Sequence, residues 1–230
     1  MYRIILASLA LVASMTPVTL CAKGNDAAKR LDAAADVMTD MMHTSDRGVP
    51  QSLLNKSDCV IVVPNMKKAA FILGGKYGRG FAFCRRQGGT GWSAPAAIRI
   101  EGGSFGFQIG GSEQDVLLLV MNQSGMKRLL SNKFTVGGEA TAAAGPVGRE
   151  ASAQTDAVMR AEMLSWSRAR GLFAGLSLQG ATLRPDEDAN QELYGQSITN
   201  TAILTTGVTA PAAAEKVEAL LNKNSARQVR

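Results

Sequence analysis

Between Cys59 and Gly111 the chain combines strand-forming runs with closely spaced glycines, and this combination limits the folds open to it. Cys59 to Val63 is β-branched and ends at Pro64, and residues 69–75 and 79–86 continue the strand-like pattern. Glycine within strands permits bulges, tight coiling and close backbone approach. The pattern predicts a strongly curved, mainly antiparallel, partly barrel-like sheet. The glycines in or beside strand-like runs are Gly74, Gly75, Gly78, Gly80, Gly102, Gly103, Gly106, Gly110 and Gly111.

Breaks in the pattern predict how these strands connect. Turns at Asn65-Met66 and Tyr77-Gly78 favour a three-strand meander built from residues 59–63, 69–75 and 79–86. Further strands are predicted at residues 96–100, 104–109, 115–121, 161–167 and 172–183.

An amphipathic helix is predicted before the sheet. Asn25 can cap it, and an apolar stripe recurs every three or four positions. Its polar side is mainly acidic, whereas a helix lying on a membrane is normally rich in Lys and Arg. We therefore favour a helix packed on the sheet, and with short helices near Pro50, Asn122, Pro185 and Ala212 the fold class is α+β. The stripe consists of Ala27, Leu31, Ala34, Met38 and Met41, and the polar side of Asp26, Lys29, Asp32, Asp36 and Asp40.

The first 22 residues have the layout of a secretory signal peptide, with Arg3 before an apolar run from Ile4 to Met15. Cleavage after Ala22 is one outcome. A loose lipobox ending at Cys21 is another, in which that cysteine is acylated, and a buried N-terminal helix of a cytosolic protein is a third. The expected organisation is a signal peptide over 1–22, one domain over 23–205, and a C-terminal helix with a frayed tail over 206–230.

The net charge limits the classes of binding partner that we expect. The formal net charge is +6, and a basic surface suits either nucleic acid or anionic lipid. Export favours lipid and makes nucleic acid an unexpected partner. We expect localisation in the periplasm or at the outer membrane.

The sequence contains partial matches to two enzyme motifs, and each match lacks a residue that the chemistry of the motif requires. Gly75-Lys76 is followed by Tyr77 where a phosphate loop needs Ser or Thr. Residues 102–106 match the G-x-S-x-G pattern around Ser104, but the single histidine, His43, lies far upstream. The cysteines form no C-x-x-C pair. We expect no enzymatic activity, no cofactor and no metal site.

Several blocks, in a fixed order, resemble the SYLF domain family. They are Cys59 to Pro64 followed by Lys67-Lys68, Gly74 to Gly80, Trp92 to Pro95, Gly103 to Gly110, Val120 to Asn122, Ala144 to Arg149, Ser165 to Gly175 and Leu183 to Asp186. The resemblance covers roughly residues 30 to 195 and identifies a bacterial, secreted member.

The resemblance implies a module that binds phospholipids, including phosphoinositides in eukaryotic members, some of which also bind actin. Because the leader implies export, actin is an unlikely partner on this interpretation. The expected function is non-enzymatic binding of anionic phospholipid headgroups at a bacterial envelope membrane. The alternative is a structural or protein-interaction module of the envelope that uses the same basic surface.

Basic residues between Pro64 and Gln87 are the candidates for lipid contact, because several cations near an anionic surface add their effects. Ordinary solvated loop charge is the competing interpretation. Tyr77, Phe81, Phe83 and Trp92 could add apolar contact, although core packing is the alternative for the phenylalanines. The predicted lipid-binding residues are Lys67, Lys68, Lys76, Arg79, Arg85 and Arg86, with Arg168 and Arg170 as a second cluster.

Whether Cys59 and Cys84 form a disulfide stays open. An oxidising compartment and an even count favour the bond. In a plain three-strand meander the two residues lie at opposite ends of strands about 9.5 Å apart, beyond the Cα separation of about 7 Å that a disulfide allows. The state of this pair is therefore a test of the sheet topology.

Overall fold

A computed structural model of the protein describes residues 26–43, 48–71, 73–86, 88, 90–105, 110–138, 140–147 and 160–225. The predicted leader, its cleavage site and Cys21 lie outside these residues. None of the helices in the described ranges is long and apolar enough to cross a membrane.

The described residues form a mixed α+β fold, as the sequence predicts. Its helices are α1 (Asp26–His43), α2 (Gln51–Lys56), α3 (Gln123–Leu129), α4 (Glu187–Tyr194), α5 (Asn200–Thr205) and α6 (Glu215–Asn224), with a 3₁₀ turn at Ala212–Ala214. Its strands are β1 (Cys59–Phe71), β2 (Leu73–Cys84), β3 (Ala96–Phe105), β4 (Gly110–Val120), β5 (Phe134–Thr135), β6 (Ala142–Ala144), β7 (Met163–Ala169), β8 (Leu172–Gly175) and β9 (Ala181–Pro185).

The strands form one curled, mostly antiparallel sheet that makes a half-barrel. Its order is β5-β9-β3-β2-β1-β4-β7-β6, with β8 added to β7. Only the β6–β7 pair is parallel among these strands. The predicted strong curvature is confirmed.

The predicted three-strand meander is wrong. Residues 59–71 and 73–84 form two long paired strands of one hairpin, and the expected break at Tyr77-Gly78 is absent because Tyr77 pairs with Lys67 within β2. Glycine in this segment serves the interior of a strand rather than a turn. The single hairpin brings Cys59 directly opposite Cys84.

A β-bulge in β1 bends this hairpin. The register with β4 shifts between Val63 and Met66, where Asn65 takes a left-handed φ of 50°. Opposite the bulge, a Cβ on Gly80 would lie 2.0 Å from the backbone oxygen of Val62. Only glycine allows this close backbone approach, as predicted for the glycines within the strands.

The outer face of the sheet is covered by helices. The whole predicted stripe of α1, from Ala27 to Met41, is inaccessible to solvent. It packs with residues of α2 and α6 against alternate strand residues that include Phe81, Phe83 and Trp166. Helix α1 is therefore a core helix of the domain, as the acidic polar face predicts.

The inner face encloses a second core. Ile61, Ile100 and Leu118 point into it from three strands, and residues of β5, β9, α3 and α5 close it. The strands are thus buried on both faces, which explains their nearly continuous apolar runs.

The sheet has two distinct ends. The last residues of β1, β3 and β7 and the first residues of β2, β4 and β8 point toward one end of the sheet, which we call the hairpin end. Cys59 and Cys84 lie at the other, which we call the disulfide end, together with α3 and the last turn of α6.

Candidate functional site

The structure does not bring the six predicted lipid-binding residues together. Lys67, Lys68 and Lys76 lie near the hairpin end, and Arg79 follows on β2. Arg85 and Arg86 lie at the disulfide end, six residues beyond Arg79 and nine beyond Lys76, or about 20 and 30 Å along an extended strand. The six residues therefore belong to at least two separate surfaces.

Alternation along the strands divides the lysines between the two faces. Lys68 and Lys76 are direct cross-strand partners on the inner face. Burial lowers the pKa of both ammonium groups, and Lys68 lowers the pKa of Lys76 further. Lys76 also donates to the backbone oxygen of Gln179 at 3.2 Å.

A groove of about 470 Å³ lies on the outer face between α1 and the β1–β2 hairpin. Four cations line it, and they come from two elements. Tyr77 and Ala33 add apolar surface, and Pro64, Asn65 and Gly78 complete the wall. The cations are Lys29 and Arg30 of α1 and Lys67 and Arg79 of the hairpin.

The cations of this groove differ in how firmly they are held. Lys67 is 71% exposed and lies 3.6 Å from Glu113, a surface pair of small energetic value. Arg79 pairs closely with the buried Asp186, and that hydrogen bond raises the pKa of Arg79. Burial, and then the nearby charge of Arg79, lower the pKa of Arg30. The groove thus holds one firmly paired arginine beside cations that can meet an added anion.

The sequence analysis did not include Lys29 and Arg30 among the candidate residues, because the polar side of α1 is mainly acidic. It also missed Arg99 and Arg184. Arg79, Arg99 and Arg184 are direct neighbours across β2, β3 and β9, and like charges opposed in this way destabilise a sheet. Glu101 offsets part of this charge, at 2.8 Å from Arg184 and 3.9 Å from Arg99. Only the register of β2, β3 and β9 shows that these three arginines are neighbours, and the sequence alone does not give that register.

Arg85 is enclosed, with 8% of its surface exposed. Its guanidinium donates to the backbone oxygens of Leu54 and Ser57 at 3.2 Å and of Ser225 at 2.6 Å. It also stacks on the Trp92 ring, 4.2 Å from the centroid. Arg85 therefore joins α2, the sheet and the end of α6, and is not presented to a ligand.

The other predicted contact residues follow the same division. Arg86 is exposed, and its Nε donates to the backbone oxygen of Trp92 at 2.7 Å. Phe81, Phe83 and Trp92 are buried in the core, whereas Tyr77 is 46% exposed. Tyr77 alone of the four aromatic candidates can contact a ligand.

Arg168 belongs to an ion-pair chain that reaches the groove. It pairs closely with Asp40 of α1 and lies 2.7 Å from Asp115 of β4. Asp115 in turn accepts the backbone N–H of Asn65 at 3.0 Å. Burial raises the pKa of Asp115, and the Asn65 hydrogen bond acts in the opposite direction.

Cys59 and Cys84 are paired in a disulfide, with Cα atoms 4.0 Å apart. Both are fully buried. The structure thus resolves the geometric objection raised by the meander, because the two cysteines face each other across one hairpin.

The geometry around Ser104 does not form a nucleophile elbow. Ser104 lies within β3, opposite Gly74 on β2, and the strand continues to Phe105. In the described ranges, no group of three or more His, Cys, Asp and Glu residues is placed to hold a metal ion.

Comparison with known proteins identifies relatives of this chain. A family model described as "Ysc84: Las17-binding protein actin regulator" matches residues 101–224, more than half of the chain. An SH3 domain-containing protein of Schizosaccharomyces pombe is 36% identical over 177 residues, which cover 76% of this chain and 41% of the relative. LAS seventeen-binding protein 3 of Saccharomyces cerevisiae is 30% identical over 212 residues, covering 91% and 45%. SH3 domain-containing YSC84-like protein 1 of Mus musculus is 30% identical over 207 residues, covering 90% and 60%.

The chain therefore belongs to the Ysc84 family, also called the SYLF family. It spans about half the length of the curated relatives it matches. These relatives come from yeasts and animals, so the comparisons support the family and not a bacterial, secreted subtype.

The expectation that actin is an unlikely partner is wrong. The family description names an actin regulator, and the yeast relative is named for binding Las17. The expectation rested on the inferred export of the chain and on no side chain of the domain, so it excluded a partner class without structural grounds.

Proposed function

We propose that this domain binds anionic phospholipid headgroups, without catalysis, through the groove between α1 and the β1–β2 hairpin. The observation that carries the proposal is the convergence of Lys29, Arg30, Lys67 and Arg79 on one concavity of about 470 Å³. A phosphate oxygen is a suitable acceptor for both guanidinium and ammonium groups. Exposed Tyr77 adds an amphipathic ring of the kind found at membrane interfaces.

The first test removes two exposed cations of the groove. The Lys29→Ala, Lys67→Ala variant should bind vesicles of phosphatidylglycerol and phosphatidylcholine at least tenfold more weakly than the wild type, since each cation near an anionic surface contributes about 1 kcal/mol. Flotation of the vesicles measures the bound fraction. Binding should also weaken as salt rises from about 0.05 to 0.5 M.

The matched control is Lys127→Ala, Lys133→Ala. These two exposed lysines line a different depression, beside α3 at the disulfide end, so the control makes the same change in net charge. It should retain nearly all of the binding. Equal losses in the two variants would contradict the groove and indicate a diffuse charge effect.

A protein partner is the second candidate, and the names of the relatives favour it. LAS seventeen-binding protein 3 and the actin-regulator family description both point to proteins as ligands in this family. Cosedimentation with actin filaments, using the same two double variants, tests this alternative. Cosedimentation that depends on Lys29 and Lys67, together with absent vesicle binding, would favour it over the lipid proposal.

We also propose that the chain is an exported, bacterial member of the family that acts in the periplasm or at the outer membrane. The leader pattern over residues 1–22 supports this, and the Cys59–Cys84 disulfide suits an oxidising compartment. Intact mass of the protein recovered from its own cells is the test. A mass that begins at Lys23 indicates cleavage after Ala22, acylated Cys21 indicates a lipoprotein, and an intact Met1 contradicts export.

A further inference from the structure

The large apolar side chains that the described part of the structure leaves exposed are Leu172, at 64%, and Tyr77, at 46%. Both lie in the half of the sheet nearer the hairpin end, on opposite faces, with Tyr77 four register rows from the Phe71–Leu73 pair. Tyr77 pairs with Lys67 on β1. Leu172 begins β8 opposite Ala169, one residue beyond the Arg168 that pairs with Asp115.

Exposed cations lie at the same end. Lys67 is 71% exposed, the half-buried Lys68 and Lys76 pair on the next register row, and exposed Arg170 stands in the turn just before Leu172. Apolar side chains bordered by cations are the arrangement that suits the interface of an anionic bilayer.

Helix α1 does not suit that role. Its apolar stripe is fully buried in the core, so it cannot enter a bilayer while the domain stays folded. Its exposed positions are Asp26, Lys29, Asp32, Asp36 and Asp40. Asp36 and Asp40 pair with Lys216 and Arg168, and the exposed face carries a single lysine, so α1 lacks the cationic face that an anionic surface attracts.

We infer that the domain meets an anionic membrane end-on, with Leu172 and Tyr77 entering the interface at the hairpin end. The partner is the headgroup and upper acyl region of a bilayer. The inference rests on the proposed lipid binding and adds to it the orientation of the domain and the side chains that leave water. In this orientation the groove opens beside the membrane surface, because Tyr77 and Lys67 belong to both.

Two variants of Leu172 test the inference. Leu172→Asp should weaken binding to phosphatidylglycerol-containing vesicles about tenfold, because it removes an apolar contact of leucine size and adds a repelled charge. In Leu172→Trp, where an apolar ring replaces the leucine, lipids brominated near the top of the acyl chain should quench the fluorescence of the new tryptophan. The native Trp92 and Trp166 are buried, so they should contribute little quenching.

The control tryptophan is Asn222→Trp, at an exposed position of α6 beside Gly91 at the disulfide end. It should show no quenching. Circular dichroism and thermal unfolding establish that each variant is folded, as expected for substitutions at exposed positions.

The outcomes separate the two proposals. Wild-type binding with no effect of Leu172→Asp and no quenching of Leu172→Trp would overturn the end-on inference and leave lipid binding in place. Quenching of Asn222→Trp instead would place the opposite end on the membrane and also overturn it. Absence of wild-type binding to any anionic vesicle would overturn both.

Discussion

The Arg85→Ala variant is expected to lose about 3–4 kcal/mol of unfolding free energy. The substitution removes the Arg85 donor from the backbone oxygens of Ser57 and Ser225, whereas the Leu54 oxygen keeps the Ser57 hydroxyl as a donor at 2.8 Å. Each buried acceptor left in this way costs about 1 kcal/mol or more, and the contact with the Trp92 ring adds about 1 kcal/mol. Urea unfolding followed by far-UV circular dichroism measures the loss.

Arg86→Ala is the matched control, because Arg86 is the adjacent residue, carries the same charge and is exposed. Its expected loss is below about 1 kcal/mol, the value of one hydrogen bond to the Trp92 oxygen. At temperatures where the Arg85→Ala variant remains folded, that variant should bind vesicles as well as the wild type does. A folded Arg85→Ala variant with wild-type stability and lost vesicle binding would return Arg85 to the lipid site.

The Cys59→Ala, Cys84→Ala variant is expected to be less stable than the oxidised wild type by about 3 kcal/mol. The residues are 25 positions apart, and a crosslink that closes a loop of this size restricts the unfolded chain by about that free energy. Both side chains are fully buried against the inner core, so shrinking them also removes packing. The urea midpoint at constant pH gives the difference.

Reductant supplies the control for the disulfide. A reducing agent should lower the stability of the wild type toward that of the double variant and leave the double variant unchanged. Thiol titration of the denatured wild type, without reductant, should find no reactive thiol at Cys59 or Cys84. Two reactive thiols and an unchanged midpoint would show that the bond does not form in the protein.

The sequence predicts a curved, mainly antiparallel sheet, but it does not predict which strands pair with one another. Alternation and β-branching locate the first half of β1 and the second half of β4, and the glycines predict the curvature. The same glycines misled the topology, because Tyr77-Gly78 has the composition of a turn and lies inside β2. The register between β1 and β2 decides the topology. In that register a Cβ on Gly80 would contact the Val62 oxygen, and a Cβ on Gly78 would contact the Val63 side chain. Such contacts between distant residues leave no local signature.

The candidate site was predictable only in part for a related reason. A run of basic residues between Pro64 and Gln87 marks the hairpin, but sequence spacing cannot say which side chains a strand turns inward. Arg85 and Arg86 are adjacent, and one is enclosed while the other is exposed. Lys29 and Arg30 enter the groove only because α1 crosses the hairpin, a tertiary contact more than thirty residues away in the chain. Helix periodicity predicted the buried face of α1 and could not predict its neighbour.

The conformation of the groove depends on three residues that do not line it, the ion-paired Asp40, Arg168 and Asp115. Asp115 holds the backbone N–H of Asn65, and Asn65 lines the groove. Without Arg168, the half-buried carboxylate of Asp115 would lose its cation and take up a proton more readily, which weakens its grip on that N–H. The backbone position of Asn65 on β1 thus depends, through Asp115 of β4, on an arginine of β7, two strands away in the sheet.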